Sequence, residues 1–127
     1  MTELSAKQTH WIWLATNLAR MSSCNKRHGA LVVRNGNVLS VGVNKYRNDP
    51  HQPTDHPKSI SIHAEEQALK ACKGDTKDAT IYVARVAKDG LPAYSRPCGR
   101  CQKAIRKAGI RHVYYTGDND EANYMEL

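Results

Sequence analysis

Gly29-Ala30-Leu31-Val32-Val33, then Arg34-Asn35-Gly36-Asn37, then Val38-Leu39-Ser40-Val41-Gly42-Val43 are the residues on which the reading of the fold turns. Two apolar runs rich in β-branched residues flank an Asn-Gly dipeptide, the strongest short-range signal for a β-hairpin. Ahead of them, Trp11, Leu14, Leu18 and Met21 recur at helical spacing with Ala15 and Ala19 alongside, which predicts an amphipathic helix over 5–21. Behind them, residues 44–59 carry Pro50, Pro53 and Pro57 and read as a long loop, the kind that more often than not has a function.

The same reading extends to the end of the chain. It places a second helix over 61–73, ended by Gly74, and a buried strand over 80–86. Residues 88–97 read as loop. A third helix follows over 98–108, with Pro97 at its mouth and Gly109 closing it, and then a strand over 110–116. Gly117-Asp118-Asn119-Asp120 is a turn signal, and 121–127 form a short tail. For that tail we expect an antiparallel edge strand over 123–127, with a single helical turn as its competitor. The order αββαβαβ points to one α/β domain over 1–127, a mixed sheet of four or five strands with helices on both faces.

Composition bounds the rest. The chain has 127 residues, 40% apolar and 24% charged, within the globular range, so it is neither a disordered tail nor a coiled coil nor a collagen. Phe is absent, so the core has to be aliphatic with help from six Tyr and two Trp. Nineteen Lys and Arg against twelve Asp and Glu give a net charge of +7, which favours anionic partners without choosing among them. No apolar run approaches the ~20 residues of a membrane span, and no basic segment followed by an apolar one marks a secretory signal. The expected location is therefore the cytoplasm, with no membrane partner. Four cysteines in such a chain read as metal ligands or buried thiols before disulfides.

Two fragments carry chemistry: His63-Ala64-Glu65 at the start of the second helix, and Pro97-Cys98-Gly99-Arg100-Cys101 at the start of the third. One imidazole and two thiolates, His63, Cys98 and Cys101, form a three-ligand zinc set, and three protein ligands leave a fourth position open as catalysis requires. Cys98 and Cys101, three apart, share one helix face where the positive dipole end favours thiolates. Glu65, two residues after His63, points away from it on an ideal helix, so the first turn has to pack end-on to the metal. Taken alone, Cys98-x-x-Cys101 also reads as a redox pair or two packed thiols. Cys24 and Cys72 read as core thiols. A second zinc on His56 and a cysteine is the other metal reading.

With these residues the sequence resembles the zinc-dependent cytidine deaminase-like superfamily, whose signature is His-x-Glu followed by Pro-Cys-x-x-Cys. The resemblance takes in the hairpin, the strand before the cysteines, and Gly109-Ile110-Arg111-His112-Val113-Tyr114-Tyr115 after them. It implies the three-layer fold of that superfamily. It implies one Zn2+ per chain on His63, Cys98 and Cys101. It also makes Glu65 a proton shuttle and not a ligand, taking a proton from the attacking water, passing it to the ring nitrogen and later protonating the leaving amine. Asn44 would touch the sugar or base of the substrate, against the alternative that it caps the strand end. The backbone of Ala64 and of Ser95, Arg96, Pro97 and Cys98 would read the base edge.

The expected activity is hydrolytic deamination of a cytosine base in a free nucleoside or nucleotide to uracil and ammonia. The alternative is a deaminase of cytidine or adenosine in single-stranded DNA or RNA. Arg96 at the pocket mouth is the candidate phosphate contact, with Lys26, Arg27, Arg47 and Lys58 able to join it. Arg100, Lys103 and Lys107 fall near one helical stripe, either a phosphate track or a solvated face. Glu66 reads as a surface carboxylate. Trp11 and Trp13 read as core and flank. The exposed sheet edge and Tyr114, Tyr115 and Tyr124 lead us to expect a homo-oligomer.

Overall fold

The computed structural model describes residues 4–46, 61–117 and 121–127. Its elements run α1 (Ala6–Ala19), β1 (Arg27–Arg34), β2 (Asn37–Val43), β3 (Lys45–Tyr46), β4 (Ser61–Ile62), α2 (Ala64–Ala71), β5 (Thr80–Val86), β6 (Pro92–Ala93), α3 (Gly99–Lys107), β7 (His112–Thr116) and β8 (Ala122–Glu126). The main sheet has the order β2-β1-β5-β7-β8, with β6 paired to β5. Five pairings make it, and only β5 with β7 is parallel, joined through α3. The short strands β3 and β4 form a separate ladder.

The hairpin forms as its Asn-Gly dipeptide predicts. Asn35 and Gly36 have φ of 52° and 77°, the left-handed pair of a type I′ turn, and Arg34 pairs with Asn37. The register then shifts between Val32 and Val33, a β-bulge. The tail is an edge strand, with Val113 opposite Met125 and Tyr114 opposite Tyr124, so the helical-turn alternative is set aside.

Two expectations change. The main sheet holds six strands where four or five were expected. The additional one is β6, two residues inside the expected 88–97 loop, where Ala93 and Pro92 fold back against Arg85 and Val86 around Gly90 at φ 84°. The second helix starts at Ala64, because His63 is extended at φ −73°, ψ 150° and stands as its N-cap, while 61–62 belong to β4. The first helix is capped by Ser5, whose hydroxyl accepts from the Gln8 amide at 3.2 Å while the Gln8 side chain accepts from the Ser5 amide at 2.9 Å.

The sheet divides two apolar layers. Leu31 and Val33 of β1 and Tyr82 and Ala84 of β5 face α1, against Ala15, Trp11, Leu14 and Leu18. Ala30 and Val32, the alternate residues of β1, join Ile81, Val83 and Val113 under Ala64 and Ala68 of α2 and Ile105 of α3. Helices therefore cover both faces, as expected. The largest fully buried side chains begin with Leu31, Ile81, Ile105 and Ile110, the aliphatic core that a chain without Phe requires. Trp13 stands 57% exposed on the flank. Among the described residues no helix is long and apolar enough to cross a membrane.

Glycines set how closely the helices approach. A Cβ at Gly29 would lie 2.5 Å from Ala15 O and Ala19 N of α1. One at Gly42 would lie 2.6 Å from Ala68 N and would run into Ala64 O, so the first turn of α2 rests directly on the strand backbone. Gly42→Ala should therefore lose about 1–3 kcal/mol of stability through overpacking. Gly99→Ala, where a Cβ meets nothing within 4 Å, should stay within ~0.5 kcal/mol of the parent. Urea denaturation of both variants measures this, and equal midpoints would refute the packing argument. Tyr82, 4% exposed and stacked on Tyr114 with ring centroids 5.1 Å apart, has its pKa pushed up to about 12 by burial and then by Tyr114. The unfolded chain gives up this proton near pH 10 and the folded chain keeps it, so stability present below pH 10 falls as pH rises to 12. Tyr82→Phe should flatten that alkaline slope by up to about 2 kcal/mol, read from thermal melts between pH 9 and 12.

Candidate active site

The starts of α2 and α3 meet on the face of the sheet opposite α1. His63 is the N-cap of α2, and Cys98, extended at φ −68°, ψ 168°, is the N-cap of α3, with Cys101 in its first turn. His63 Nδ1 lies 3.2 Å from Cys101 Sγ and 3.8 Å from Cys98 Sγ. The three ligand atoms fall within 4.8 Å of one another, and among the described residues no other His, Cys, Asp or Glu group of this kind is found. Tetrahedral zinc with Zn–S near 2.3 Å and Zn–N near 2.1 Å would separate N from S by about 3.6 Å. The two observed separations straddle that value, and the donor set is the one zinc favours. Cys101 is fully buried, His63 partly, and Cys98 is exposed, so the group is open on one side.

Glu65 does not point away from His63. His63 stands outside the helix in extended conformation, which lets both side chains turn to the same end of α2. The Glu65 carboxyl is 5% exposed and lies close enough to the Cys101 thiol for each to act on the other's charge. Burial raises its pKa, against the opposing pull of its own backbone amide, His63 and Cys101. Burial likewise pushes the Cys101 thiol up, helped by Glu65 and Cys98. A buried thiol beside a buried carboxyl has reason to ionise only when a cation joins them, the behaviour of a metal ligand.

Glu66 is more than a surface carboxylate. Its Oε1 accepts from the His63 amide at 3.3 Å and from Arg100 at 2.8 Å, so one oxygen ties the start of α2 to the start of α3. Arg100 is thereby drawn out of the basic stripe it was grouped with. Cys24 is buried as expected, and the Cys72 thiol sits 2.9 Å from Ser40 Oγ. His56, Arg47 and Lys58 lie outside the described residues.

Beside the ligand group opens a cavity of about 250 Å³, lined by Lys26, His28, Asn44, His63, Ala64, Glu65, Ser95, Arg96 and Cys98. Of the residues expected to touch substrate, Asn44, Ala64, Ser95 and Arg96 are on this wall. Pro97 is not among the lining residues: it is buried, and its carbonyl accepts from Gln102 Nε2 at 2.8 Å. Ser95 is fastened on both sides. Its amide donates to Thr116 O at 2.9 Å, and its hydroxyl accepts from the Thr116 amide at 2.8 Å. The hydroxyl also meets Thr116 Oγ1 at 2.8 Å, while Thr116 Oγ1 donates to Ala93 O at 2.7 Å. The Ser95 amide is thus already engaged and is not a free reader of a base edge. Asn44 Oδ1 accepts from the His28 amide at 2.8 Å and its Nδ2 donates to Lys26 O at 2.6 Å, bonds that tie the strand end to residues 26 and 28.

His28 escaped the sequence reading. The signal was the alternation of β1: Ala30 and Val32 face α2, so position 28 faces the same way, beyond the reach of that helix. Across the sheet it pairs with Arg85, whose Nε is buried without a partner among the described residues. Burial foremost, and then Arg85, His63 and Lys26, lower the His28 pKa to about 4 against a raising contact with Lys26 O, so the ring is neutral near pH 7.

Comparison with known proteins gives a consistent result. Residues 5–117 match the family described as the cytidine and deoxycytidylate deaminase zinc-binding region. No curated protein matches the sequence. The structure is similar to that of dCMP deaminase from cyanophage S-TIM5, at TM-score 0.70 and 24% identity over 92% of this chain and 88% of that one. The same phage enzyme in complex with dCMP and dUMP superposes at TM-score 0.71 and 23% identity, over 91% and 85% of the two chains. Cytidine deaminase from Burkholderia pseudomallei gives TM-score 0.70 at 20% identity over 97% and 93%. At these identities the structures testify to the fold, and the match over residues 5–117 to the lineage: the chain belongs to the cytidine and deoxycytidylate deaminase family.

Proposed function

We propose that this chain is a zinc-dependent hydrolase that deaminates the cytosine base of a free nucleoside or nucleotide, giving uracil and ammonia. The observation that carries the reading is the buried Glu65 carboxyl on the wall of a cavity that His63 and Cys98 of the His63, Cys98, Cys101 group also line. His63, Cys98 and Cys101 would hold the metal, which supplies a Lewis acid able to bring the pKa of water from about 15.7 to near 7. Glu65 does the proton work. Its pKa is raised by burial, which makes the carboxylate a better proton acceptor. It takes one proton from the attacking water and delivers it to the ring nitrogen, then takes the second from the hydroxyl now on the ring carbon and gives it to the amine as the carbon–nitrogen bond breaks. Arg96, exposed at the cavity wall, and Lys26 beside it are placed to meet a phosphate where the substrate carries one. The engagement of Arg100 by Glu66 shortens the basic stripe on α3 and supports a small substrate over a polynucleotide.

Purified protein should contain one zinc per chain and release ammonia from cytidine, deoxycytidine or their monophosphates. Glu65→Gln should keep the zinc and lose kcat by on the order of 10²–10⁴-fold, whereas Cys101→Ala should lose the zinc as well. Metal analysis with ultraviolet difference spectra reads both, and a zinc-loaded protein inert toward every cytosine compound would end the proposal. A polynucleotide enzyme would instead bind single-stranded oligonucleotides with affinity falling steeply in salt.

We also propose that the chain works as a homo-oligomer. Strands β2 and β8 bound the sheet, and Val38 and Val41 on β2 are 44% and 48% exposed. Light scattering at micromolar protein should give a multiple of 14.2 kDa, and the monomer mass would refute it.

A further inference from the structure

We propose that a second, basic cavity under the turn between β5 and β6 is a subsite for a phosphate chain, so that the preferred substrate is a cytosine nucleoside 5′-di- or triphosphate. The inference rests on the reading of this chain as a nucleoside or nucleotide deaminase, and it names the substrate of that site more closely.

The cavity, of about 650 Å³, has Lys26, Arg85 and Lys88 in its wall and Asp89 as its one acidic residue. Lys26 also lines the active cavity, so the two share a wall. The turn that roofs it is held in place by main-chain acceptors. Arg27 Nη2 donates to Ala87 O at 2.6 Å, and Arg20 Nη2 donates to Gly90 O at 3.2 Å. The Ala87 amide donates to Leu91 O at 2.9 Å and the Gly90 amide to Ala87 O at 2.9 Å. Asp89 Oδ1 accepts from the Leu91 amide at 3.0 Å, so the one acid is partly spent on its own turn.

Arg85 is the residue that asks for a ligand. It stands opposite His28 as Val83 stands opposite Ala30, on the face of the sheet that α2 and α3 cover and that holds the active cavity. Its Nε is buried without a partner among the described residues, and no carboxylate among them pairs with Arg85, Lys26 or Lys88. Arg85 and Lys26 both act on the His28 ring in the wall of the active cavity, which places two cations where the cavities adjoin. A guanidinium keeps its charge throughout the pH range of a folded protein. Leaving its donors unmet in a partly buried position is costly, and its fork suits an oxyanion.

The substrate decides which oxyanion. The active cavity, at about 250 Å³, lies at the small end of ligand pockets, which begin near ~300 Å³. It has room for a base and its sugar, with the amine toward Glu65. A first phosphate carries about two negative charges, which Arg96 and Lys26 at the wall of that cavity balance. Arg85 and Lys88 then have nothing to meet on a monophosphate. They lie past Lys26, where the second and third phosphates of a longer chain extend.

The test compares deoxycytidine with its 5′-mono- and triphosphates on zinc-loaded protein, with zinc content checked after each run. The triphosphate should exceed the monophosphate at least about tenfold in kcat/KM. Arg85→Gln should remove most of that gain by raising KM for the triphosphate, with a much smaller change for deoxycytidine. Lys88→Gln, in the exposed turn and outside the sheet, should remove part of it and decides the matter if Arg85→Gln does not fold. Calorimetric binding of deoxyuridine mono- and triphosphate should give the same order without turnover. Inorganic tripolyphosphate should compete with the triphosphate and leave deoxycytidine turnover little affected. Equal kcat/KM for mono- and triphosphate, or a gain that survives the substitutions, overturns the subsite and leaves the deaminase reading standing. Tripolyphosphate binding without a gain for the triphosphate assigns the cavity to a separate anion and overturns the substrate claim, as does a preference for single-stranded oligonucleotides. A zinc-loaded protein that neither binds nor converts any of these compounds overturns both readings.

Discussion

The backbone contact between α2 and Gly42 is the constraint on which the site depends. Any larger residue at position 42 would meet the first and second turns of the helix, at Ala64 and Ala68. The helix that carries Glu65 and is capped by His63 is therefore located by main-chain contact, and main chain has little freedom to repack. Ala30, Ala64 and Ala68, all fully buried, continue the same close approach. Small residues here hold a helix end by main-chain contact, with no long side chains to shift.

Charge explains why the two helix starts can meet at all. Each presents the positive end of its dipole, an unfavourable neighbour for a cation. The structure answers with acceptors at that point: the Glu65 carboxyl within, the two cysteines, and the Glu66 carboxylate outside, holding the His63 amide and Arg100 together. Inside and outside the carboxylates divide the work. Glu65 is buried at the cavity wall, while Glu66 is half-exposed and braces the frame.

Much of this was legible in the residues. The Asn-Gly hairpin, the strands at 80–86 and 110–116, the third helix and the edge strand all carry local signals, and the ligand triad was carried by its motif and spacing. What escaped has a common cause. The two-residue strands β4 and β6 are too short to show periodicity and exist because longer strands offer them partners. The helix expected from 61 starts at Ala64 because Ser61 and Ile62 pair with Tyr46 and Lys45 as β4 and His63 is extended, none of which has a local signal. The Glu66 to Arg100 pair joins residues 34 apart and has no signature in either segment. Asn44 and His28 are separated by a whole hairpin, and their exchange of bonds belongs to pairing, not to sequence pattern.

The Ser95 to Thr116 knot also has a mechanical meaning. Ser95 is bonded to the end of β7 by backbone and hydroxyl, and Thr116 in turn takes the Arg85 amide at 3.1 Å and reaches Ala93 O. The chain is thus anchored three residues before Cys98, and the hairpin turn between β5 and β6 lies wholly upstream of the anchor. Strain or added length in that turn is absorbed before it can travel to the cysteines. The Lys88, Asp89, Gly90 tip is accordingly a place where this scaffold can accept an inserted loop, a label or a graft while Cys98 and Cys101 keep their station.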